Sequence, residues 1–364
     1  MPGGGVRSVT HRPRHRAGHA APRRAAPAAA ATGTSRLGTT AGVRVTRRGI
    51  QLALGLLWIL DGALQLQPFM LGHGLATQVI APAGHGQPWF VAAAVGWAAG
   101  LVAAHPAGWD SAFAAVQLLI GAALLARPLA RAGLAACVGW AAGIWYLGEG
   151  LGGVASGHAS LLAGAPGAAL LYAVLALAAW PQPPFRDGPG LRGLTRMRAD
   201  APPAGWVPAA WAVLWTGSAL LAALPGQGSA AGLAGEVAAG TAGAPAWLAH
   251  LDHALASALP GAGPTVVTTL VILEAGIGAA GLRPGRARRA AGWAGIAVSA
   301  AFWVIGQDLG QLYSGQATDP GTAPLVVLLA IALLGCRPPT CPRNHEGLPP
   351  GTETRPGGGA AARS

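Results

Sequence analysis

The chain has 364 residues, 52% hydrophobic and only 10% charged, against roughly 25% charged in a soluble domain. It has no lysine, so arginine carries all the positive charge behind its net +12. The arginines sit in tails and short turns between apolar runs, which excludes a nucleic-acid partner and points to turns that anchor helices at a bilayer. Three cysteines leave no disulfide framework.

In chain order, residues 1–46 form a basic tail without apolar periodicity, expected to be disordered and cytoplasmic. The run TRRGIQLALGLL at 46–57 has the look of a twin-arginine signal. No small-residue cleavage site follows it and Asp61 interrupts it, so it is better taken as the basic flank of a first membrane helix. Apolar runs predict eight helices, at 50–69, 110–126, 132–149, 166–181, 206–225, 264–282, 288–306 and 323–336. The arginines separate them into pairs. They occur between Arg7 and Arg48, at Arg127 and Arg131, from Arg186 to Arg198, from Arg283 to Arg289 and from Arg337 to Arg363. Each of the four gaps has room for one crossing out and one back, which predicts eight transmembrane helices in the plasma membrane with both termini cytoplasmic.

The two halves repeat one another. WYLGEGLGGVASGHAS (145–160) matches WVIGQDLGQLYSGQAT (303–318), and Trp58, Leu75 and Trp89 match Trp215, Leu233 and Trp247. After a four-residue insertion, Pro166-Gly167 matches Pro320-Gly321. The expected organisation is a first four-helix repeat at 47–184, a cytoplasmic linker at 185–205, a second repeat at 206–337 and a disordered tail at 338–364. An even number of crossings makes the repeats parallel, related by an axis along the membrane normal. The fold class expected is all-α and polytopic.

Residues 88–104 are apolar enough to suggest a further span. The repeat aligns them with residues 246–262, which carry His250, Asp252 and His253 and are amphipathic. Both segments are therefore expected to be helices lying on the outer surface, with the two histidines on a solvated face. His250 and His253, three apart, lack the third ligand that would make them a metal site.

RRGIQLALGLLWILDGALQLQP (47–68), VQLLIGAALLARPLARAGLAACVGW (116–140) and VILEAGIGAAGLRPGRARRAAGW (271–293) resemble the DoxX-like integral membrane proteins, a four-helix family that would be present here as two tandem copies. Arg48 and Gly62 fall at matching positions, Gln65 or Gln67 stands where the family has Lys, and Glu274 and Gln117 occupy the acidic or polar position of the second signature. The resemblance implies an accessory to quinone-linked or oxidative-stress chemistry, with a membrane redox complex as partner and quinone as the cofactor. It brings no shared catalytic residue set.

Ionisable groups in hydrocarbon cost at least ~2.5–3.5 kcal/mol near the centre, so each calls for a reason. Asp61, Gln65, Gln117 and Glu149 in the first half, and Ser218, Glu274, Gln307 and Asp308 in the second, are expected to form two equivalent polar pockets opening outward. The plainer alternative is hydrogen bonding between helices. No nucleophile elbow, phosphate loop or CxxC motif is present, so an autonomous enzyme is not expected. Three functions fit: a redox accessory, a small-solute or proton-coupled transporter, and a structural or assembly factor.

Overall fold

A computed structural model describes residues 45–181, 202–224, 229–239 and 244–336. The expected tails and most of the linker at 185–205 lie outside these residues. Every regular element among the described residues is helical.

Helix α1 (Arg47–Leu64) starts at Thr46, whose hydroxyl accepts the N–H of Gly49 at 3.1 Å, a side-chain N-cap. It stops short of the expected residue 69 because Pro68 has no N–H to continue the ladder and opens a new short helix, α2 (Pro68–Leu71). The sequence predicts nothing regular between there and residue 88. The structure has a π-helical turn at Leu75–Ile80 and a 3₁₀ turn at Ala81–Gly84. Then follow α3 (Trp89–Ala104), α4 (Pro106–Leu125) and α5 (Ala130–Gly143), the last prolonged by a π turn at Ile144–Gly148, and α6 (Ala168–Ala178). The second half has α7 (Val207–Ala222), an unexpected α8 (Ala230–Ala239), α9 (Ala246–Ala258), α10 (Pro264–Leu282), α11 (Arg286–Ile305) and α12 (Thr322–Gly335).

The packing order is the same in both halves. α1 packs on α4 as α7 packs on α10, α4 on α5 as α10 on α11, and α5 on α6 as α11 on α12. The halves meet through α6 and α12. The α1–α4 crossing is close: a Cβ on Gly121 would stand 2.8 Å from the Gly55 carbonyl oxygen, an approach only small residues allow.

Among the described residues two helices, α4 and α10, are long and apolar enough to cross a membrane. The outward faces are greasy. Leu52, Leu56 and Leu60 line the exposed side of α1, and Leu119, Val213, Leu220, Ile272 and Trp293 are exposed on other helices. The acids point the other way: Asp61, Asp252, Glu274 and Asp308 are all buried.

Three of the described arginines donate to carbonyls at helix ends. Arg48 donates to the Leu124 and Leu125 carbonyls at 2.8 and 2.5 Å, Arg47 donates to those of Trp180 and Pro202, and Arg288 donates to that of Gly281 at 3.1 Å. Cations at helix C-termini complement the dipole and satisfy orphan carbonyls.

α3 and α9 need comment. α3 buries Val91, Val95, Ala98 and Val102 and exposes Trp89, Phe90, Trp97 and Leu101; it has no polar face. In α9 the two histidines are exposed as expected, and Asp252 between them is not. Asp252 is fully buried, while its neighbours Trp247 and Leu251 are exposed. The carboxyl points to the protein together with Leu248, whereas Trp247 and Leu251 point away from it.

Candidate functional site

The first half encloses a cavity of about 430 Å³ between α1, α3, α4, α5 and α6. Its walls are aromatic: Trp58, Trp97, Trp109, Phe113, Trp140 and Tyr172, with aliphatic residues from α3 and the 75–80 turn. Its lining also includes Asp61, Gln65, Gln117 and Glu149, four of the eight residues expected from the sequence.

Two contributors were not expected. The first is Tyr172 on α6, whose hydroxyl donates to Asp61 Oδ2 at 2.5 Å. Its ring lies 4.4 Å, centroid to centroid, from that of Trp58, whose indole N–H points to Cys137 Sγ at 3.1 Å. The second is Asp319, which arrives from the second half together with Thr318. Asp319 accepts from the Thr318 hydroxyl at 2.8 Å and from the Gly321 N–H at 2.7 Å. Burial raises its carboxyl above the usual range, and these two hydrogen bonds oppose the shift. Asp319 is near enough to Asp61, Glu149 and Tyr172 to interact electrostatically with each.

Glu149 is held by backbone. Its Oε1 accepts the Ala169 N–H at 3.0 Å. Gly167, at φ 96°, makes room for it: a Cβ there would lie 2.1 Å from Glu149 Oε2. A short segment thus builds the site, with the Trp145 indole N–H donating to the Pro166 carbonyl at 2.8 Å. The second half repeats this geometry. Trp303 donates to Pro320 at 2.8 Å, and Gln307 Oε1 accepts the Ala323 N–H at 3.0 Å.

The matching second-half pocket is nearly absent, which corrects the expectation of two equivalent pockets. Only about 10 Å³ remains there, barely the space of one water. Its lining follows the repeat: Ala222, Leu270 and Glu274 stand where the first half has Gln65, Phe113 and Gln117, each 157 positions earlier. Ser218, the counterpart of Asp61, lies beside Glu274. Leu162, from the first half, is one of the residues that line it.

The halves exchange loops. Ser160 lines the second pocket and donates to Glu236 at 2.5 Å, and its repeat partner Thr318 lines the first. Three more bonds tie the exchange: Gln307 Nε2 to the Leu161 carbonyl at 3.0 Å, Thr322 Oγ1 to the Gly164 carbonyl at 2.6 Å, and Gln67 Nε2 to the Ala317 carbonyl at 3.2 Å.

Asp308 does not join Gln307 or Glu149. It sits in the α11–α12 loop with φ 45°, beside Asp252 of α9. Burial and the neighbouring acid push Asp308 up to about 7, and burial raises Asp252 as well. Tyr313 lies within electrostatic range of both.

Among the described residues no three His, Cys, Asp or Glu side chains come together as a metal site. Comparisons with family models, with curated proteins and with solved structures return no match for this chain. The reading of function therefore stands on the cavity and the residue pattern.

Proposed function

We propose that this is a multi-pass plasma-membrane protein that binds a small amphiphilic molecule in its first repeat, as a DoxX-like accessory to membrane redox chemistry with a quinone-type headgroup as the ligand. The observation that carries the reading is the cavity itself: about 430 Å³, with aromatic walls and a few polar side chains among them. That is the composition of small-molecule sites, with a mostly apolar lining and a few convergent polar groups. Ring-bearing ligands stack on such walls.

The proposed threading is eight crossings as two parallel four-helix repeats, with α3 and α9 lying at the outer interface. The apolar outward faces, the inward acids and the arginines at helix ends support it. Helices shorter than about 20 residues, such as α6 and α12, would cross with help from their flanking turns.

Two experiments test this. Native mass spectrometry of the protein in nanodiscs, followed by lipid extraction, should find a stoichiometric small molecule of quinone type; an empty protein from a quinone-replete membrane counts against the redox reading. Single cysteines at positions 73, 158, 250 and 315 should react with impermeant thiol reagents on intact cells, and those at 129, 190 and 286 only after lysis. Labelling of position 190 from outside would overturn the threading.

A further inference from the structure

The polar lining of the cavity is unbalanced. Asp61 Oδ1, Gln65 Oε1, Gln117 Oε1 and Glu149 Oε2 are buried atoms without a hydrogen-bond partner, and all four accept. Asp61, Gln65 and Gln117 are each at least nine-tenths buried. Against them the Trp140 indole N–H is the one unpartnered donor that is itself buried, with the side-chain amide N–H groups of Gln65 and Gln117 beside it in the lining. The hydroxyl protons of Tyr172 and Thr318 are already committed to Asp61 and Asp319. Among the described residues that line the cavity none is basic. Buried acceptors left unmet are costly, more so where the surroundings are hydrocarbon.

We infer that the cavity takes an apolar molecule whose polar end carries N–H or O–H donors, and that Asp319, delivered by the second repeat, is one of the groups that selects it. A dihydroxy aromatic (a hydroquinone) and a protonated lipophilic amine share this chemistry. A hydroquinone would place its hydroxyls on the carboxyl and amide oxygens and its ring among the tryptophans. An ammonium would be met by Asp61, Glu149 and Asp319 and by the faces of the same rings. An anion would face the carboxyl groups of Asp61, Glu149 and Asp319 with no basic residue to balance it among the described lining residues. The oxidised quinone has no donor to give and can use only the Trp140 N–H and the amide groups. The inference rests on the reading of the cavity as a ligand site. It adds that the site is composite: the position equivalent to Thr318 in the other pocket is Ser160, followed by Leu161 where Thr318 is followed by Asp319.

The test is binding to the full-length protein in nanodiscs, read by tryptophan fluorescence and by thermal shift. Four probes of equal alkyl length are compared: an alkyl hydroquinone under anaerobic conditions, its quinone, a primary alkylamine and an alkyl carboxylate. The hydroquinone or the amine should bind at least about tenfold more tightly than both the quinone and the carboxylate, and which of the two binds identifies the source of the donor. Asp319→Asn and Glu149→Gln should each weaken that binding about tenfold, whereas Leu162→Ala, in the other pocket, should leave it unchanged. Equal binding of quinone and hydroquinone, preference for the carboxylate, or normal affinity in both acid variants with normal thermal unfolding would overturn the donor rule while leaving the cavity a ligand site. No binding of any probe, with a cavity occupied by water alone, would remove the ligand-site reading and the inference with it. Should Asp319→Asn fail to accumulate, Glu149→Gln and Gln117→Leu give the same readout from α5 and α4.

Discussion

Among the described residues the first repeat holds a cavity of about 430 Å³ and the matching one in the second holds about 10 Å³, although both pack their helices in the same order. Side-chain choice at equivalent points makes the difference. Gln65 and Phe113 give way to Ala222 and Leu270, Asp61 to Ser218, and the donated loop carries Asp319 on one side and leucines on the other. Helix packing sets where a pocket can be; the volume left depends on a handful of side chains and on a loop from the other repeat. The geometry that cradles Glu149 also cradles Gln307, so a well-made local motif does not by itself mean a working site.

The largest effect expected on ligand binding comes from Asp61→Leu. It would strip the Tyr172 hydroxyl of its acceptor deep in the protein, and it should abolish ligand binding and lower the melting temperature, at a cost of about 1–3 kcal/mol for the orphaned group. The isosteric Asp61→Asn keeps an acceptor and should retain the melting temperature more closely while losing ligand affinity. A comparable loss of stability is expected for Leu162→Ala. It would widen the second pocket and cost about 2–5 kcal/mol, with the first pocket's affinity intact; an unchanged melting temperature would mean Leu162 does not pack there.

The acid pair outside the spans gives a pH prediction. Because the folded values of Asp308 and Asp252 are raised, the neutral pair favours the folded state. Its contribution is full below about pH 4, where unfolded carboxyls are also protonated, and is lost as pH rises through about 7. The melting temperature should fall over that window, and Asp308→Asn should flatten the profile. A profile that rises with pH would contradict the pairing. The smallest effect belongs to Arg48→Gln, which removes donors from the end of α4 and should cost about 0.3–1 kcal/mol without touching either pocket.

Much of the helical layout was legible in the sequence because long apolar runs leave little choice. α10 occupies 264–282 as expected, and α11 and α12 begin and end within two residues of expectation. The short elements at 68–84 and 230–239 were not legible, since runs this brief carry too little periodicity. Burial of Asp252 was misjudged because an amphipathic helix was assumed to turn its polar side to water. Tyr172 and Asp319 were missed for a different reason. Tyr172 meets a partner 111 positions away, and Asp319 crosses from one repeat to the other. One hint existed: the acid stands just before Pro320-Gly321, where the first half has only Ala and Gly before Pro166-Gly167.

The exchanged loops bear on history. Two separate copies of a single repeat that traded loops in this way would form a symmetric pair, and any substitution would appear in both pockets at once. With both copies on one chain that constraint is lifted. Leu162 can line one chamber while Asp319 equips the other, and neither change has to be tolerated at its mirror position. Asymmetry of this kind is a possession of the tandem gene and is out of reach for a homodimer.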